Sequence, residues 1–177
     1  MARISLIEED KHPELGELIS RIRSGRRGRL LNVYKLLLHA PALAATWFEH
    51  LNAVRWKTEL AGRLREIMII RVARLNRIEY VLQQHVPALA LAEGLTLAEC
   101  DALADWHGSP FFDQRERAAL AFADEMTRLA RVANKTFGAL RGHFSERQIV
   151  ELAVLIGTYN MHNRVFAALD IDPETGN

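Results

Sequence analysis

The sequence holds a single cysteine, Cys100, so no disulfide can form within the chain and a stapled secreted scaffold is excluded. Dithiol redox chemistry within one chain is excluded with it. Long apolar runs are missing as well. The longest, Ile67–Ile70 and Ala153–Gly157, fall far short of the roughly 20 residues that span a bilayer. The opening segment MARISLIEEDKHPE has no apolar stretch of the kind a secretory signal needs. These absences lead us to expect a cytoplasmic protein with no membrane partner. Nor is there an excess of charge: 23 Lys and Arg face 22 Asp and Glu, a formal net charge of +1. Such a balance sets up no field to gather nucleic acid, so no nucleic-acid partner is expected. Lysine is scarce, at Lys11, Lys35, Lys57 and Lys135 only, and arginine supplies the remaining basic groups. Arginine suits planar pairing with carboxylates in ion pairs or at subunit contacts, although a bias of genome composition gives the same excess.

Strand signals are absent. No alternating run of strand length occurs, and there is no Asn-Gly or Asp-Gly turn to close a hairpin. What is present is helical. With 177 residues, 49% of them hydrophobic and 25% charged, the chain fits one domain with its own core. We take that domain to be 1–177, with its core over about 28–170. Pro13 opens a helical segment ending near Ser24, and Ser24–Gly28 is a basic hinge. Leu30 to His39 and a segment starting at Pro41 come next. A long helix is expected over Glu59–Leu75, a break near Asn76, and a second helix from about Arg77 to Glu93, stopped by Gly94. Three capping boxes, Thr96 with Glu99, Asp113 with Glu116 and Ser145 with Gln148, open later helices. Asn134 starts a short one, and the last could run to Leu169. The tail Asp172–Asn177 is polar and expected to fray. The fold class is therefore all-α: a compact bundle of about eight or nine helices.

Chemistry concentrates in Leu64–His85, LREIMIIRVARLNRIEYVLQQH. Glu66 precedes the apolar run Ile67–Ile70. A carboxylate there is either paired with a nearby arginine (Arg63, Arg65 or Arg71) or held dry with a raised pKa. On the next helix Ile78, Val81 and His85 fall at i, i+3 and i+7 and share a face. A histidine on such an apolar stripe is often a satisfied core residue. Facing Glu66 instead, it would make a carboxylate–imidazole couple for proton transfer near neutral pH. No HExxH, Cys/His cluster or Gly-rich phosphate loop is present, so neither metal nor cofactor is expected. His162, beside Asn163, could line the same pocket, though helix-face polarity explains both equally well. Trp47 and Trp56 read as core or interface anchors.

This segment resembles the signature of the carboxymuconolactone decarboxylase and alkylhydroperoxidase-D-like superfamily. Its peroxidase members carry a Glu, then Cys-x-x-Cys on the next helix, then a His four residues past the second Cys. Glu66 and His85 match the family Glu and His, and Tyr80 matches the position between the cysteines that is often His or Tyr. Ile78 and Val81 stand where the two thiols would be. Segments around Gly28–Tyr34, His39–Pro41, Phe144–Arg147 and Ile156–Met161 agree with the family in order. The resemblance implies an all-helical fold and homo-oligomers, often trimers or hexamers.

Without the thiols the resemblance does not carry peroxidase activity, and Cys100 on another helix is a poor substitute. The decarboxylase branch needs no thiol. It implies cofactor-free acid–base work, lyase in type, on a small carboxylated apolar substrate. Glu66, Tyr80 and His85 would be catalytic, with Arg71, Ile78, Val81 and His162 against the substrate. Arg65, Arg71 and Arg164 qualify to hold a substrate carboxylate by charge alone. The competing expectation is a non-catalytic binding or scaffold protein that kept the fold after losing its thiols.

Overall fold

The computed structural model describes residues 2–174, and no strand occurs among them. The helices are α1 (Gly16–Ser24), α2 (Asn32–Leu37), α3 (Pro41–Trp56), α4 (Gly62–Asn76), α5 (Glu79–Gln84), α6 (Leu97–Ala102), α7 (Gln114–Leu129), α8 (Asn134–Arg141) and α9 (Glu146–Leu169). The chain up to Ala53, with Val165 onward, forms one compact unit, and Val54–Arg164 forms a second.

In the first unit, Pro13 opens a 3-10 turn that leads into α1, which buries Ile19 and Ile22. The basic hinge turns through left-handed backbone at Arg27 and Gly28. Arg26 ties this hinge to α2 and α3. Its Nε and Nη2 donate to the Tyr34 hydroxyl at 3.0 and 2.6 Å, and its Nη1 donates to Asn52 at 2.8 Å. The tail is held where fraying was expected: Asp172 accepts the Ala2 N–H at 2.9 Å and Glu174 accepts the Asn32 N–H at 2.8 Å. Both bonds satisfy backbone donors that would otherwise lack partners. The rest of the expected fraying, 175–177, lies outside the described residues.

In the second unit, α4 is the central helix. Ile67, Met68, Ile69, Ile70, Val72 and Ala73 are all fully buried, which is why its sequence is apolar on more than one face. Arg71 clasps it to α7, with Nε and Nη2 on the two Asp124 oxygens at 2.6 and 2.5 Å. Its Nη1 donates to the carbonyls of Leu103 and Ala104. Arg63 joins two capping boxes, bonding Glu99 at 2.6 Å and Glu116 at 2.7 Å. The Thr96–Glu99 and Asp113–Glu116 boxes are closed in both directions, and Ser145 and Gln148 exchange the same pair of bonds.

The break expected near Asn76 is present: α4 ends at Asn76 and the left-handed cap falls on Arg77 (φ +58°), whose N–H and that of Ile78 close the helix on Ala73 and Arg74. Asn76 itself stays helical, its side chain donating to the Val72 carbonyl and to Asn160. A correction concerns the expected continuous helix from Arg77 to Glu93. It begins at Glu79 and widens into a π-helical turn over His85–Ala90. Pro87 sits in that turn and has no N–H to give the preceding turn, so a wider winding absorbs it. Gly94 (φ +84°) ends the segment as expected.

Candidate active site

The site grows from two neighbouring features of the second unit: the first turns of α4, and the point where α5 widens. Glu66 projects from α4 and is fully buried, and His85 starts the π turn with 6% of its surface exposed. His85 Nδ1–H donates to Glu66 Oε2 at 2.6 Å, a short charge-assisted bond. The other ring nitrogen, Nε2, has no hydrogen-bond partner among the described residues. Glu66 thus fixes both the tautomer and the orientation of the imidazole and leaves the Nε2 lone pair available.

Two guanidinium groups flank the carboxylate from the other side. Arg55, in the last turn of α3, brings Nη2 to 3.7 Å from Glu66 Oε1, and Arg65 brings Nε to 3.6 Å from the same oxygen. Arg65 also donates through Nη2 to Glu93 at 2.6 Å. Both guanidiniums lie on the Trp56 ring, 4.7 and 4.8 Å from its centroid.

These surroundings set the charges. Burial alone would push Glu66 up, but His85, Arg55 and Arg65 together outweigh it and hold the carboxyl below its ordinary range. Burial lowers His85 more than Glu66 raises it, and Arg55 and Arg65 lower it further. At neutral pH the couple is therefore a carboxylate holding a neutral imidazole. Burial pushes the Cys100 thiol up, and the residue is fully buried, so it packs as a small hydrophobe in the present geometry.

The remaining candidates fall as follows. Tyr80 is buried on α5, and Ile78 (9% exposed) and Val81 (2%) bring two aliphatic side chains to the start of that helix. His162 is buried on α9, its ring 5.5 Å from that of Tyr159, which in turn meets the His85 ring edge-on at 5.7 Å. Arg71 stands apart, its guanidinium engaged by Asp124 and two carbonyls. It borders a separate cavity of about 590 Å³ lined also by Arg74, Arg77, Glu79 and Arg128. Arg164 is exposed.

Arg55, Glu93 and Tyr159 were missed as site residues. Arg55 lies outside the Leu64–His85 signature, and no periodicity relates it to Glu66. Among the described residues no cluster of His, Cys, Asp and Glu could hold a metal ion, and no helix is long and apolar enough to cross a membrane.

Residues 41–125 match the model of the carboxymuconolactone decarboxylase family. The chain is 27% identical over 158 residues to the uncharacterised Escherichia coli K12 protein YnjA, covering 88% of this chain and 80% of that one. It is 29% identical over 107 residues to the uncharacterised Bacillus subtilis 168 protein YdfG, covering 59% and 72% respectively. A crystal structure of an uncharacterised peroxidase-related protein from Silicibacter sp. TM1040 superposes with a TM-score of 0.84 at 26% identity, covering 98% of this chain and 92% of that one.

Proposed function

We propose, from the match of residues 41–125 to the carboxymuconolactone decarboxylase family and the likeness to a peroxidase-related structure, that the chain is a member of the carboxymuconolactone decarboxylase and alkylhydroperoxidase-D-like superfamily and a cofactor-free acid–base enzyme built on Glu66 and His85. The observation that carries the reading is the buried 2.6 Å bond from His85 Nδ1 to Glu66, which leaves Nε2 without a partner among the described residues. In this reading Nε2 accepts a proton from the substrate and returns it, while Glu66 steadies the imidazolium that forms. In a decarboxylation the couple takes the proton of the departing carboxylic acid, carbon dioxide leaves, the electron pair stays behind as a dienolate, and the couple returns that same proton to carbon. Tyr80 is proposed to position a substrate oxygen. Ile78, Val81 and His162 are proposed to wall the pocket for a small carboxylated apolar molecule. Thiol peroxidase chemistry forms no part of the proposal, since Ile78 and Val81 offer no sulfur and Cys100 is buried.

A second reading, a binding protein on an inherited scaffold, draws support from the same bond, because a carboxylate paired with an imidazole and flanked by two arginines also makes a stable core network. Deuterium exchange at the carbon next to the carboxylate of small unsaturated or lactone acids separates the two. The enzyme reading expects exchange that falls about a hundredfold or more in His85→Ala while folding survives. Exchange that is absent, or indifferent to His85, leaves the binding reading. We also propose a homo-oligomer, for which the exposed α9 side chains Val150, Val154 and Met161 offer an apolar stripe. Sedimentation at a single monomer mass would remove that part.

A further inference from the structure

The cavity of about 590 Å³ bordered by Arg71 collects basic side chains from three elements of the second unit. Arg71, Arg74 and Leu75 fall at i, i+3 and i+4 on one face of α4. Arg77 follows in the left-handed cap, and Glu79 and Leu82 lie a turn apart on α5. Arg128 comes one turn after Asp124 on α7, so it shares the face that clasps Arg71. The cavity thus lies where the α4–α7 clasp ends, and Leu75, Leu82 and Ala104 supply its apolar lining.

These charges are unevenly answered. Asp124 takes both arms of the Arg71 fork, a full match for one carboxylate. Arg74 meets Asp101 at 3.1 Å, but that carboxylate is 82% exposed and screened by water. The guanidiniums of Arg77 and Arg128 have no partner among the described residues, and Glu79 pairs with neither. In a chain of formal net charge +1 this is a local excess of positive charge, and a concave surface of one sign concentrates the opposite ion. Arg74 and Arg128 do occupy the last turns of α4 and α7, where a cation offsets the helix dipole. That role does not extend to Arg77, which stands beyond α4 at φ +58°, a conformation that glycine takes at less cost. An arginine in such a position points to a use for its side chain.

Size and charge together choose the ligand. The volume falls within the range of about 300–1,000 Å³ typical of sites for small organic molecules. A carboxylate offers two oxygens in one plane, which a single fork satisfies, as Arg71 does for Asp124. Several open forks around one space instead match a phosphate monoester, with three oxygens and close to two negative charges at neutral pH. We propose that Arg74, Arg77 and Arg128 bind the phosphate group of a small phosphorylated organic molecule, whose apolar part lies against Leu75 and Leu82. Arg77 follows the end of α4, about 15 Å along the helix axis from Glu66. The site is separate from the Glu66–His85 couple and does not rest on any reaction there.

The experiment is isothermal titration calorimetry of the full chain, at neutral pH and low salt, with phenyl phosphate, inorganic phosphate and benzoate. Phenyl phosphate should bind saturably at one site, inorganic phosphate should compete for it more weakly, and benzoate should be weakest. Arg77→Gly removes the side chain and relaxes the left-handed cap, so it should fold and weaken phenyl phosphate binding about tenfold or more, the loss of a charged hydrogen bond. Arg128→Gln, at an exposed position, should weaken it to a similar degree. Glu79→Gln removes a carboxylate from the lining and should tighten it. Absence of saturable binding, affinity unchanged in both arginine variants, or weaker binding in Glu79→Gln would each overturn the site. Benzoate binding as tightly as phenyl phosphate would overturn the choice of phosphate, and inorganic phosphate binding as tightly would overturn the organic part.

Discussion

The neutral, buried imidazole of His85 should make stability depend on pH in a defined window. Its folded pKa lies below its ordinary value of 6.5 because burial disfavours the charged ring. In the unfolded chain the ring protonates near that ordinary value. Below pH 6.5 the unfolded state therefore binds a proton that the folded state refuses, and stability falls as pH falls. A group fully neutral in the fold loses about 1 kcal/mol between pH 6.5 and 5.5, approaching 1.4 kcal/mol per further unit. For a chain of this size that corresponds to about 2–4 °C of Tm over the first unit. Glu66 also sits below its ordinary 4.5, so its contribution is lost only at still lower pH and leaves this window clean. The assay is urea unfolding at half-unit steps from pH 8 to 5, on the wild type and His85→Gln. The glutamine amide can still donate to Glu66 but cannot titrate. The wild type should be level above pH 7 and slope below 6.5, and the variant should lose about one proton's worth of that slope. Identical slopes in both proteins would refute the assignment of a neutral buried ring.

Three further outcomes are expected from the packing. Arg71→Met leaves Asp124 and two carbonyls without their donor, and should cost about 3–5 kcal/mol; a change under 1 kcal/mol by urea unfolding would contradict the clasp. A Cβ at Gly62 would fall 1.7 Å from Glu93 Oε2. Gly62→Ala should therefore push Glu93 off Arg65, and the lost charged bond outweighs the gain in helix propensity for a net loss of about 1 kcal/mol; a crystal structure of the variant with the Arg65–Glu93 bond intact would count against this. Cys100, buried and with its thiol pKa raised, should react with a thiol reagent only as fast as the protein opens; prompt stoichiometric labelling in native buffer would show otherwise.

Local chemistry was easiest to read from the sequence. The three capping boxes are legible because each is written in four consecutive residues and needs no tertiary partner. The centrality of α4 follows from apolar residues on more than one of its faces. Pro87 was also visible, yet a helix was expected to pass through it unchanged, and the widened turn at His85 is the result. Propensity alone favours Asn76 over Arg77 as the left-handed residue, and the side-chain bonds of Asn76 to Val72 and Asn160 decide otherwise. The spacing of Glu66 and His85 came from a family pattern, whereas the 2.6 Å between them is a property of the packing. Arg55 could not be found this way. A bend over 57–60 separates it from α4, and its approach to Glu66 depends on how that bend is folded. Arg71 shows the converse: a charge well placed in the sequence, but bonded to Asp124 in space.

Trp56 gives the site an optical consequence. It is one of three tryptophans, 55% exposed, with two guanidiniums over its ring. The field of those guanidiniums bears directly on its excited state, so neutralising them should shift both the colour and the yield of its emission. Any change at Arg55 or Arg65 can then be followed by intrinsic fluorescence before any reaction is known, with Trp56→Phe, which leaves only Trp47 and Trp106 to emit, as the reference.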